Sequence, residues 1–169
     1  MAAASATEQA QQAYREGNAL LRQKRLHDAV AAYDHAISLT PNHAEAHNNR
    51  GSALLWLGQL ALAQKAYSQA IQLQPLYYKA HNNLGNVLQL QDQPEAALMA
   101  YQAAIAAKPN YVEAHHNRGH TLQEMARFAD ALAAFEHAIA LQPDFVPAQH
   151  SRALLLLLLG QFEQGFAAF

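Results

Sequence analysis

The sequence contains no cysteine. That removes disulfides, thiol nucleophiles and thiolate metal sites from consideration. Charge is scarce as well: Asp, Glu, Lys and Arg make up 14% of the 169 residues, and the formal net charge is −2. Such a balance gives neither the basic footprint of a nucleic-acid binder nor a polybasic membrane patch. Long apolar runs are also missing. The one candidate, Ala153–Leu159, falls well short of the ~20 residues needed to cross a bilayer. The start of the chain, Met1 to Gln9, lacks the basic-then-apolar pattern of a secretion signal. No glycine-rich phosphate loop, nucleophile elbow, HExxH pair or paired-carboxylate arrangement occurs. The expectation is therefore a cytoplasmic chain with no catalytic residues, no cofactor, no bound metal, and neither a nucleic-acid nor a membrane partner.

The residues that are abundant have a period. The chain is 51% hydrophobic, enough for a substantial core, and its alanine and leucine favour helix. Pro41, Pro75, Pro109 and Pro143 stand 34 residues apart, and so do Gly17, Gly51, Gly85 and Gly119. Tyr33, Tyr67, Tyr101, Phe135 and Phe169 keep the same spacing. A period of roughly 20–50 residues marks a stack of supersecondary units, each unable to bury its own apolar face.

Numbered from 1 to 34, the units divide the chain into repeats 10–43, 44–77, 78–111 and 112–145 and a partial fifth, 146–169. Residues 1–9 read as a flexible tail. Position 8 is glycine in the four full repeats. Position 11 is Leu20, Leu54, Leu88, Leu122 and Leu156, position 20 is Ala29, Ala63, Ala97 and Ala131, and position 27 is Ala36, Ala70, Ala104 and Ala138. This pattern resembles the tetratricopeptide repeat (TPR) family. The resemblance implies an all-α, right-handed solenoid of antiparallel helix pairs, four full repeats and a fifth begun. Position 7 departs from the family, being Glu16, Arg50, Leu84, Arg118 and Arg152.

In the first repeat the spacing predicts helices over about Glu8–Gln23 and Leu26–Leu39, the second stopped at Thr40-Pro41. Pro94 and Pro147 sit at helix starts. Gly17, mid-helix, implies close approach of the paired helix opposite Ala29. Asp28, Asp34, Glu95, Asp130 and Glu136 fall on second helices and read as solvated. The run Leu154–Leu159 is apolar on every side and expects cover, and the sequence ends at Phe169, mid-helix.

Function is sought on the first helix of each repeat. In the TPR family its positions 2, 5, 9 and 12, with 6 and 13 beside them, line a concave groove. Here that face carries Asn48, Asn49, Asn82, Asn83, Asn86, His116, Asn117 and His120. An asparagine amide offers a donor and an acceptor together, matching the N–H and C=O of a peptide backbone. A row of them suits an extended peptide read by its backbone. The ladder Asn49, Asn83, Asn117 resembles that of O-GlcNAc transferase TPR superhelices, which implies either a non-catalytic peptide-binding module or the substrate-recruiting arm of a larger glycosyltransferase. The bland alternative is that these asparagines only bond neighbouring turns. Asn18, Asn49 and Lys79 match three positions of the TPR dicarboxylate clamp, while Tyr14 and Asn83 stand where cations are expected. His43 with His47, and His116 with His120, have chelating i, i+4 spacing but no completing ligand. Trp56, Leu90 and Leu158 share position 13, as an apolar groove wall or as inter-repeat packing. Self-association through the fifth repeat is a further possibility.

Overall fold

The computed structural model describes residues 5–166, which form ten helices and no strand. They are α1 Ala6–Arg22, α2 Leu26–Leu39, α3 Ala44–Trp56, α4 Leu60–Leu73, α5 Tyr78–Leu90, α6 Pro94–Ala107, α7 Val112–Glu124, α8 Phe128–Leu141, α9 Val146–Leu158 and α10 Phe162–Phe166. Each helix packs on the one before it and the one after it in the chain, the nearest-neighbour arrangement of a solenoid. The expected all-α architecture is what forms. The first helix starts earlier than the sequence reading allowed. Ser5 Oγ accepts from Glu8 N at 3.3 Å, and Ser5 N donates to Glu8 Oε2 at 2.7 Å. This is a capping box, S-x-x-E, that ties the chain end into α1. Residues 6–9 thus belong to α1, which ends at Arg22 instead of Gln23. Phe169 lies outside the described residues.

The turn inside each repeat is the same throughout. Position 15 takes a left-handed conformation whatever its side chain: φ is 59° at Lys24, 73° at Gly58, 58° at Asp92, 57° at Ala126 and 77° at Gly160. Around it the amides of positions 15 and 16 reach back to the carbonyls of positions 12 and 11, as in Lys24 N to Leu21 O and Arg25 N to Leu20 O, both 3.0 Å. This C-terminal motif satisfies the helix's last carbonyls and reverses the chain.

The core repeats with the same period. Tyr33, Tyr67, Tyr101 and Phe135 are fully buried. Each ring lies against the position-8 glycine of its own repeat: a Cβ at Gly85 would come within 2.5 Å of Tyr101 Cε1, and one at Gly17 within 2.6 Å of Tyr33 Cε1. The group that requires Gly17 is thus the tyrosine ring, not Ala29. In the fifth repeat the sizes are exchanged. Ala153 is buried at position 8, and a Cβ at Gly165 would meet Leu157 Cδ2 at 2.6 Å.

Position 7, the departure from the family pattern, is accommodated in two ways. Leu84 packs against two core clusters. Arg50 and Arg152 instead reach across to the preceding repeat, pairing with Asp34 at 2.6 Å and Glu136 at 3.2 Å. The five acids expected in solvent are all exposed. The apolar run of α9 is covered on one side only: Leu155 and Leu156 are buried, whereas Leu154 and Leu158 are exposed.

Candidate functional site

Each odd-numbered helix touches the next odd-numbered one, α1 with α3 through to α7 with α9. Among the described residues no even-numbered helix touches another. The stack therefore curves with the odd helices inside and the even ones splayed outside. The inner face is the one that carries the asparagines and histidines.

Most of these side chains bond from repeat to repeat. Asn49 Nδ2 donates to Tyr14 Oη at 3.1 Å and Asn18 Oδ1 at 2.9 Å. Its Oδ1 accepts from Asn48 Nδ2 at 2.9 Å, and Asn48 Oδ1 accepts from Asn83 Nδ2 at 3.0 Å. Asn117 Nδ2 donates to Asn82 Oδ1 at 3.0 Å and Asn86 Oδ1 at 3.2 Å. Tyr33 and Tyr101 donate their hydroxyls to Asn18 and Asn86, both at 2.8 Å. Beyond α7, His116 Nε2 lies 3.1 Å from Ser151 Oγ. The pattern explains the recurrence of asparagine mid-helix, where it is a poor helix former. One amide can accept from the following repeat while donating elsewhere.

The expected site residues consequently divide. Asn48 and Asn82 are 4% exposed, and their oxygens hold the next repeat in register. The Asn48 carbonyl accepts from Asn83 and its amide donates to Asn49, while the Asn82 carbonyl accepts from Asn117, so these two buried oxygens are committed to the stack. Asn49, Asn83, Asn86, His116 and Asn117 are half-buried and His120 is exposed. Asn49 and Asn117 have both amide hydrogens engaged. Asn83 differs: its Nδ2 makes one bond and its Oδ1 none. In the middle of the inner face it keeps both a donor and an acceptor.

Sequence reasoning missed Gln89 and Thr121. Thr121 Oγ1 donates to Gln89 Oε1 at 3.1 Å, and Gln89 Nε2 donates to Glu124 Oε2 at 2.8 Å. Their positions vary between repeats, so no period signals them. The packing reading of Trp56, Leu90 and Leu158 is also overturned: they are 59%, 62% and 66% exposed.

The histidines have separate tasks. His47, His81 and His115 at position 4 place Nε2 at 3.0, 2.8 and 2.8 Å from the carbonyls of Pro41, Pro75 and Pro109. Gln149 donates to Pro143 O at the same place in the fifth repeat. A carbonyl only accepts, so Nε2 carries the hydrogen. His43 caps α3 by accepting from Ala46 N at 3.3 Å. Burial pushes the His115 and His116 pKa values down. Among the described residues no three His, Asp or Glu side chains converge as a metal site, and no helix is long and apolar enough to cross a membrane.

Four family models match, described as TPR repeat over residues 17–58 and as tetratricopeptide repeat over residues 44–77, 66–99 and 112–145. This is a tetratricopeptide-repeat chain. The matches describe the TPR unit alone, and none distinguishes the arm of a glycosyltransferase. No curated protein is a significant match by sequence. Solved TPR structures share the fold. MamA is 24% identical over 90% of each chain with a TM-score of 0.80. YrrB, a TPR protein with an unusual peptide-binding site, is 22% identical over 92% of this chain and 80% of its own, TM-score 0.71. The first TPR of Spaghetti (RPAP3), bound to HSP90 peptide SRMEEVD, is 24% identical over 71% of this chain and 95% of its own, TM-score 0.69.

Proposed function

We propose that this chain is a non-catalytic protein-interaction module that holds an extended peptide segment along the inner face of its odd-numbered helices. The observation that carries the reading is Asn83. It is half-buried at the centre of that face and held in place by its bond to Asn48, with one N–H and its Oδ1 unengaged. Those two groups match the N–H and C=O that one residue of an extended chain presents on the same side. Holding the amide in advance lowers the ordering cost of binding. Asn49, Asn86, Asn117, His116 and His120 frame it. Only some of the ladder reads ligand in this account, and the rest fixes its geometry. The dicarboxylate-clamp alternative loses support, because Asn18 and Asn49 bond each other and the two tyrosines. Peptide binding by YrrB and by RPAP3 adds weight to peptide binding on this fold.

The test uses peptides selected from a random 12-residue display library against the whole chain. Two hydrogen bonds at about 0.5–1.5 kcal/mol each correspond to roughly a 5- to 150-fold loss of affinity for Asn83→Ala. Helicity should hold, and the thermal midpoint should fall because the buried Asn48 oxygen loses its donor, so affinities are compared well below that midpoint. No selectable peptide, or peptides indifferent to Asn83→Ala, would overturn the proposal.

A second reading rests on the exposed Leu154, Leu158 and Phe162, which give the fifth repeat a surface for association between copies. Sedimentation at rising concentration should show association that Leu154→Gln with Leu158→Gln abolishes. A monomer at all concentrations removes this reading.

A further inference from the structure

Every long odd-numbered helix ends on the same repeat position, and the residues there are, in order, Arg22, Trp56, Leu90, Glu124 and Leu158. All five are exposed. Trp56 is 59% exposed and makes no hydrogen bond or ring contact among the described residues. Large apolar side chains left open in adjacent repeats are the kind of patch that marks an interaction surface, and tryptophan dominates the binding energy of many interfaces.

The row belongs to the same face as the asparagine ladder. Arg22 lies seven residues after Arg15, Trp56 after Asn49, Leu90 after Asn83 and Glu124 after Asn117. Seven residues are two helical turns, which puts each pair on one stripe about 10 Å apart. The 2.8 Å bond from Gln89 to Glu124 joins the ends of α5 and α7 along this row. Its charges are available to a ligand. Arg15 and Arg22 have no carboxylate partner among the described residues. Glu124 Oε2 accepts from Gln89, and its Oε1 lies 3.4 Å from His120 Nδ1.

We infer that the peptide held by this face carries bulky apolar side chains that lie on Trp56 and Leu90, with an acidic residue toward Arg22 and a basic residue toward Glu124. This rests on the reading of the inner face given above and names the chemistry of its ligand. Packed helices lie about 8–10 Å apart and an extended chain rises about 3.3 Å per residue. Successive anchors should therefore be about three residues apart: acid, apolar, apolar, base. The order of charges along the row fixes which end of the motif meets α1.

Trp56 is the chain's single tryptophan, so its emission reports this site directly. Peptides selected from the random 12-residue library are labelled and titrated by fluorescence anisotropy against the wild type, Trp56→Ala, Arg22→Glu and Asn83→Ala, each checked by circular dichroism. The expected result has four parts: a shared bulky apolar residue with an acid about three positions away, a blue shift of Trp56 emission on binding, at least tenfold weaker binding to Trp56→Ala, and at least fivefold weaker binding of acid-bearing peptides to Arg22→Glu. Peptides that weaken with Asn83→Ala yet bind Trp56→Ala within twofold, leaving the emission unmoved, would overturn the anchor and leave the groove reading intact. A library that yields nothing would overturn both. Emission that shifts with lipid vesicles but with no peptide would overturn the anchor in favour of a lipid surface.

Discussion

The Asn117 amide on α7 donates to Asn82 Oδ1 on α5 across 3.0 Å, and Asn82 is 4% exposed. One side chain therefore joins the third repeat to the fourth and satisfies a buried acceptor. Asn117→Ala should destabilise the chain by about 1–3 kcal/mol, because the buried oxygen of Asn82 loses its donor, while that of Asn86 keeps Tyr101. In a solenoid the loss falls on one junction, so urea unfolding should broaden as well as shift. Asn83→Ala takes the donor from the equally buried oxygen of Asn48 and should shift the midpoint by a similar amount. Equal midpoints for Asn117→Ala and wild type would show that the ladder holds nothing together.

Ala126 sits at φ 57°, where Gly58 and Gly160 occupy the equivalent turns. A residue with a Cβ costs roughly 1–2 kcal/mol in that region, and glycine gives part of this back through the freedom of its unfolded state. Ala126→Gly should therefore stabilise the chain by about 1 kcal/mol, read as a higher urea midpoint. Gly58→Ala should do the reverse. Opposite signs from the same position in two repeats would follow from backbone conformation alone, since nothing lies near a Cβ at Gly58.

Much of this fold is legible because its core depends on small residues meeting large ones at a fixed period. Gly85 must be glycine for Tyr101 to fit, and a 34-residue repeat of both reveals the contact without any structure. Side chains that cross between repeats are harder to read. Asn48 and Asn49 are neighbours in sequence, yet one is buried and bonded to Asn83 while the other is half-buried. Periodicity places both on the inner face and cannot tell which donates to which. The capping box at Ser5 has a sequence signature, S-x-x-E, that reading residues 1–9 as a tail passed over. The left-handed turns at Lys24, Asp92 and Ala126 were not, because none of these is glycine. Trp56 and Leu90 illustrate the limit from the other direction: apolar residues at a periodic position suggest packing, and only the geometry shows them open.

Burial lowers the pKa of His115 from the ordinary 6.5, and His116 shifts the same way. Desolvation disfavours the imidazolium in the folded chain, so between the folded and unfolded pKa values the unfolded state binds more protons. These histidines therefore contribute stability that is fully present above pH 6.5 and lost as pH falls through the folded pKa. Urea unfolding at pH 7.5 and 5.0 should show the drop. His115→Gln is the informative variant, because Gln149 already donates to a proline carbonyl at that position. It should keep the bond to Pro109 and lose part of the pH dependence. An unchanged pH dependence would assign the drop to other groups.

Arg50 and Arg152 each pair with a carboxylate of the preceding repeat, Asp34 and Glu136. Arg118 occupies the same position, and the residue standing where those acids stand is Gln102. Both line one outer cleft, and Arg118 has no ion pair among the described residues. Gln102→Glu should install the missing partner. Exposed pairs contribute about 0.2–1 kcal/mol, so a small rise in urea midpoint is expected at low salt. It should fade toward zero near 1 M salt, where screening acts within about 3 Å. Asp34→Asn should lose a similar amount at its own junction, with the same salt dependence. Charge and not shape separates the two residues, so Gln102→Met, close in volume, should leave the salt dependence of stability unchanged. A rise with Gln102→Glu that persisted in high salt would mean that the carboxylate acts through something other than Arg118.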